Sequence, residues 1–164
     1  LIAAGNDTTR NAIAGGVEAL LQHPAQRELL CNNPSLMPSA VEEILRWTSP
    51  VGNFLRTATE DFELSDTTIG AGDTVGVFYP SGNRDERVFD DPYRFDITRT
   101  PNAHLAFGFG AHFCLGTNLA RAELKASIKA LLPYLKSVEL DGKPERIAQT
   151  HVIGYSTLPM RSIV

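Results

Sequence analysis

Cysteine is almost absent from this chain: Cys31 and Cys114 are the only ones in 164 residues. Two cysteines make no disulfide framework, so the expected compartment is a reducing cytoplasm. No apolar run is long enough to span a bilayer and no signal peptide is visible. Excess positive charge is missing too. The 15 Lys and Arg are scattered against 19 Asp and Glu, a net charge of −4, which argues against a nucleic-acid partner. There is no repeat, low-complexity tract, phosphate-cradling loop, or flavin or pyridine-nucleotide motif. With no paired CxxC or HxxxH, Cys114, His112 and His104 make a poor zinc set. What remains is an ordinary globular composition, 43% hydrophobic, sufficient for one domain over 1–164 with an ample core.

The informative content is concentrated in Phe107-Gly-Phe-Gly-Ala-His-Phe-Cys-Leu-Gly116. Gly108, Gly110 and Gly116 give the backbone freedom and allow close approach of a flat group. An apolar run from Leu115 through Leu135 predicts a helix directly after the cysteine. The Cys114 sulfur then lies near a helix N-terminus, where free N–H groups and the macrodipole favour negative charge. An isolated cysteine beside a glycine turn is ordinarily buried and inert. This run is more specific than that, and Cys114 reads as the thiolate ligand of a haem iron.

Two further constellations stand out. Ala4-Gly-Asn-Asp-Thr-Thr9 falls inside a segment, Leu1 to Leu21, whose apolar residues Ile2, Ile13, Val17, Leu20 and Leu21 are spaced for one helix face, closed by His23-Pro24. Acid, alcohol and glycine within a helix oppose its intrinsic preferences, so either they serve a ligand or they cap a helix that starts there. Glu43 and Arg46 share a helix face and can pair. Val41, Ile44, Leu45 and Trp47 surround them with apolar bulk. Between these motifs, Phe54–Thr59 alternates like a strand, Asp66–Asp73 reads as short strand and turn, and Thr74–Tyr79 as a buried strand.

The 107–116 run resembles the signature of haem-thiolate monooxygenases, the cytochrome P450 enzymes. The resemblance implies a mainly α fold with small β-sheets (α+β). It would run from the distal helix through the cysteine loop and the following helix to a C-terminal hairpin. It implies haem b as cofactor, held at its iron by Cys114, with Phe107 packed beside the sulfur and Gly5 and Gly108 against the cofactor. His112, where the signature usually carries arginine, and Arg56 would reach the haem propionates. Asp7 and Thr8 would be the acid–alcohol pair that passes protons to O2. Glu43, Arg46 and Arg94, the last from the Phe89–Asp96 meander, would form a structural ion cluster. Asn83-Arg-Asp-Glu86 would be a turn and short helix of the scaffold. Val51–Phe54 and Val152–Ile153 would face the substrate, a hydrophobic small molecule of lipid, sterol, terpene or alkyl type.

Electrons would come from an external ferredoxin-type partner. Arg121, Lys125 and Lys129 form either its docking stripe or a solvated helix face. The resemblance covers only the C-terminal portion of a family member, so the chain is expected to be a fragment, inactive alone. Two other readings stay open: a peroxide-driven peroxygenase and a non-catalytic haem binder.

Overall fold

The structure, a computed structural model, describes residues 2–163, apart from the side chains of Ile2 and Ala3. Five helices carry the framework: α1 (Ile2–Gln22), α2 (Pro24–Asn32), α3 (Met37–Thr48), α4 (Tyr79–Gly82) and α5 (Thr117–Leu131). The strands are β1 (Asn53–Thr57), β2 (Phe62–Leu64), β3 (Thr67–Ile69), β4 (Thr74–Phe78), β5 (Val138–Leu140), β6 (Glu145–Arg146), β7 (Tyr155–Thr157) and β8 (Met160–Ser162). They pair antiparallel in twos: β1 with β4, β2 with β3, β5 with β8 and β6 with β7. Helices with several small sheets are the architecture expected from the sequence. The expected helix start at Leu1, and the Ile2 side chain, lie outside the described residues.

Local sequence explains where the helices stop. Pro24 disfavours helical backbone at His23 (φ −121°, ψ 73°) and then opens α2 from its first turn. In α3, Ala40, Val41, Ile44 and Leu45 form one buried stripe, and the helix closes at Ser49 in the left-handed region (φ 41°) ahead of Pro50. The helix expected over Leu115–Leu135 is shorter at both ends. Gly116 occupies its N-cap, and Pro133, which has no N–H to donate, stops it near Leu131.

The core lies where α1, α3 and α5 meet. Val17, Leu20, Ile44, Leu45, Leu124 and Ile128 interdigitate there with Phe95 and Ile97 of the irregular segment before the cysteine loop. A Cβ on Gly16 would stand 2.8 Å from an Ile44 methyl group, so glycine is what lets α1 and α3 cross this closely. The C-terminal hairpin is tied to the same scaffold. The buried Glu18 carboxylate of α1 accepts from the Tyr155 hydroxyl and, at 2.9 Å, from Arg146.

Two expectations about this region change. The sequence of Thr74–Tyr79 reads as a buried strand, yet β4 is mostly exposed. Among the described residues it pairs only with β1 in a two-stranded ribbon, and Val77 and Phe78 stand exposed. The short scaffold helix comes one turn before Asn83, not after it: α4 ends at Gly82 and Asn83 follows as its C-cap.

Candidate functional site

The loop that presents Cys114 is built on its backbone. Gly108 (φ +76°) and Gly110 (φ +70°) occupy the left-handed region that other residues adopt only with strain. The Cys114 N–H donates to the Phe107 carbonyl at 2.9 Å, closing the loop, and Phe113 N–H donates to Gly110 at 3.0 Å across a single 3-10 turn. The Thr117 hydroxyl accepts its place at the start of α5 by donating to the Cys114 carbonyl at 2.6 Å. Cys114 is an exposed free thiol, beside an apron of uncovered apolar side chains: Leu115 is 90% exposed, Phe109 86%, with Phe113 and Leu119 also open. Exposed apolar surface of this kind is found at ligand sites and at interfaces between protein parts.

Asp7 and Thr8 lie well inside α1, so the helix-capping alternative falls. The Thr8 hydroxyl donates to the Ala4 carbonyl at 2.7 Å, one turn back along the helix. Asp7 is exposed and meets Arg10 at 3.2 Å. Arg56 lies on β1 with its guanidinium over the Phe54 ring, 5.4 Å from the centroid, donating to Leu55 O. His112 is exposed in the cysteine loop. Among the described residues these groups share no hydrogen bond or ring contact: α1, β1 and the cysteine loop present them separately.

The segments expected to face substrate are joined to each other. Gly52 N–H donates to His151 O and Ile153 N–H to Pro50 O, each at 2.8 Å, and Val51 bridges Val152. Phe54 packs edge-on against His151, whose Nδ1 meets the Asn53 carbonyl at 2.9 Å.

The expected ion cluster exists with a different third member. Arg46 and Glu43, both 0% exposed, pair through two bonds of 2.8 Å. The remaining Arg46 N–H groups go to the carbonyls of Asn83, Pro92 and Arg94. Arg94 contributes only that carbonyl. Its side chain is 63% exposed and reaches Asp96 at 3.6 Å, while Arg99 stands 3.3 Å from Glu43. Asp96 N–H and Asn102 complete the carboxylate's partners. The meander turns its Pro92 and Arg94 carbonyls to Arg46 and its Asp96 N–H to Glu43, while the side chain that reaches the carboxylate is that of Arg99, just beyond the meander. Only chain path decides between the two arginines.

A second cluster was not anticipated. Glu42 binds Arg121 through two bonds of 2.6 and 2.7 Å and His104 Nε2 at 3.1 Å. Burial alone would raise the Glu42 carboxyl; the hydrogen bonds from His104 and Arg121, with the arginine's charge, outweigh it and hold it at about 2. Arg121 therefore turns inward, and only Lys125 and Lys129 of the supposed stripe stay exposed. The adjacent glutamates of the 42–47 segment were the available signal, but nothing in the sequence names a partner 79 residues away.

Among the described residues no group of three or more His, Cys, Asp and Glu could cage a metal ion. A haem asks for less: one axial sulfur and a flat apolar bed. The donor set here fits that demand. Cys114 is the lone exposed thiol, and a Cβ at Gly5 or Gly110 would meet nothing within 4 Å, which leaves room for a flat group.

Comparison with known proteins gives this geometry a context. The model of the Cytochrome P450 family matches residues 31–161. Cytochrome P450-terp of a Pseudomonas species is 48% identical over 158 residues, 96% of this chain and 37% of the relative. The methyl-branched lipid omega-hydroxylase of Mycobacterium bovis is 48% identical over 98% of this chain and 38% of its own length. Among solved structures, P450BioI in complex with a hexadec-9Z-enoic acid ligated acyl carrier protein superposes with a TM-score of 0.93. Its identity is 41%, over 97% of this chain and 42% of that one. A Bacillus megaterium relative in complex with testosterone gives a TM-score of 0.95 at 38% identity, over 100% of this chain and 46% of that one. The chain thus spans less than half the length of these relatives.

Proposed function

The chain belongs to the cytochrome P450 family, and from that premise we propose that it is the haem-ligating part of a haem-thiolate monooxygenase. The reaction would insert one atom of O2 into an unactivated C–H bond of a hydrophobic small molecule. The observation that carries this reading is the exposed Cys114 thiol, held by a glycine-shaped loop at the start of α5 and ringed by uncovered apolar side chains. The cofactor that goes with the family is haem b, and Cys114 would hold it through its thiolate. When bound, the haem supplies the oxidising chemistry, with the thiolate donating electron density.

This chain's residues do the rest. The Phe107 carbonyl, by accepting the Cys114 N–H, would hold the loop that carries the sulfur. His112 and Arg56 would bind the propionates from the cysteine loop and β1. Gly5 of α1, where a side chain would meet nothing within 4 Å, would leave space for the cofactor. Thr8 would swing its hydroxyl from the Ala4 carbonyl to hold a proton at Oγ, and Asp7, exposed to water, would replenish it. Val51–Phe54 and Val152–Ile153, stitched together by their backbones, would exclude water from the substrate side.

The methyl-branched lipid omega-hydroxylase named above and the relative in complex with testosterone support a lipid-like apolar substrate. Electrons would come from a ferredoxin-type partner, and the two free cysteines suit a reducing cytoplasm. Among the described residues no helix is long and apolar enough to cross a membrane. The acid–alcohol pair favours O2 over peroxide as oxidant.

The test is isotopic. Haem-loaded protein containing this chain, given a reduced ferredoxin, a branched lipid and 18O2, should yield hydroxylated product carrying one labelled atom. Label entering only from peroxide would favour a peroxygenase, and haem uptake without any product would favour a binder.

A further inference from the structure

Arg121 occupies a position that neither ligand binding nor proton delivery uses. Its guanidinium carbon lies 4.7 Å from the centroid of the Phe107 ring, a cation–π contact. The edge of the same guanidinium is gripped by both oxygens of Glu42. His104 holds one of those oxygens from the other side, and its Nδ1 accepts the Ala106 N–H at 3.2 Å, so Nε2 is the nitrogen that carries the proton toward Glu42. Phe107 in turn carries the carbonyl that accepts the Cys114 N–H. The chain of contacts runs without a gap from α3, through α5, to the cysteine loop.

The geometry of this charge pair has a direction. Arg121 gives its N–H edge to Glu42 and sets its guanidinium carbon over the Phe107 ring, so the positive member of the pair is the one that touches the cysteine loop. Both charges are durable, because the carboxyl is held at about 2 and the guanidinium is raised by its bonds to Glu42. A fixed cation near a redox centre stabilises the form that has gained an electron, and the half-buried setting weakens solvent screening.

We propose that Arg121, oriented by Glu42 and His104, is a positioning residue for the proximal ligand: through Phe107 it steadies the Cys114 loop and makes electron uptake at the bound haem more favourable. This rests on Cys114 being the haem ligand. Glu42 restrains the effect, so the two charges pull electron uptake in opposite senses.

The test is spectroelectrochemical titration of haem-loaded protein, with melting of each variant measured in parallel. Arg121→Met should disfavour reduction and Glu42→Gln should favour it, each shifting the reduction equilibrium by about threefold or more. Arg121→Lys, which keeps the charge, should stay near the parent even if it melts earlier. A merely structural strut predicts that both neutral variants lose stability and shift in the same sense, or not at all; either result overturns the proposal. If the parent protein itself shows no thiolate-type haem spectrum, the Cys114 assignment fails first, and this inference with it.

Discussion

Two regions of this molecule treat polar groups and apolar surface in opposite ways. Around Glu43 and Arg46 every guanidinium N–H and both carboxylate oxygens have partners, and no water reaches either side chain. Around Cys114 a thiol and four large apolar side chains stand uncovered. A saturated polar knot can do no chemistry, since it has no free valence to offer; its role is to hold the meander against α3. An open apolar face beside one soft nucleophile is the kind of surface that a flat apolar ligand, or another part of the protein, can cover. The contrast sets a closed scaffold apart from the open face that we propose as the site.

The largest effect should come from breaking the closed region. Glu43→Gln leaves Arg46 as a buried charge without its counter-ion, and we expect a loss of about 3–5 kcal/mol in urea denaturation. Next, the two meander arginines should part company. Arg99→Ala removes a partner of Glu43 and the donors to the Asp90, Asp91 and Arg94 carbonyls, at about 2–3 kcal/mol. Arg94→Ala, on an exposed side chain, should stay within about 0.5 kcal/mol. Equal losses for the two would place the third partner back at Arg94.

Acid should separate the clusters further. The Glu42 carboxyl is depressed from 4.5 to about 2, so its ionised form is favoured by folding. That stability is complete above pH 4.5 and drains away as pH falls toward 2, by ~2 kcal/mol after allowing for partial exposure. Stability of Glu42→Gln, compared with the parent across that window, should lack this component. The smallest effect belongs to the open region: Cys114→Ser should leave the melting of cofactor-free protein almost unchanged, because the thiol supports nothing in the fold.

The sequence announced some of this and concealed the rest for physical reasons. Helix α1 follows from apolar spacing and from Pro24, and the left-handed turns of the cysteine loop follow from Gly108 and Gly110. The Glu43–Arg46 pair follows from helical spacing, since both ends lie on one element. Partners on different elements were hidden. Choosing Arg99 over Arg94 depends on the path of a meander without regular structure, and pairing Arg121 with Glu42 depends on how α5 packs against α3. Exposure of β4 was hidden for a related reason: its apolar residues read as core, yet burial depends on what covers a ribbon and not on the ribbon's own composition.

The most direct test of the account is the absorption spectrum of reduced, carbon-monoxide-bound, haem-loaded protein, taken for the parent and for Cys114→Ser side by side. The account predicts the red-shifted thiolate-type band in the parent and its loss in the serine variant, with melting of the cofactor-free form unchanged. A band that survives the substitution, or a histidine-type spectrum in the parent, would contradict it.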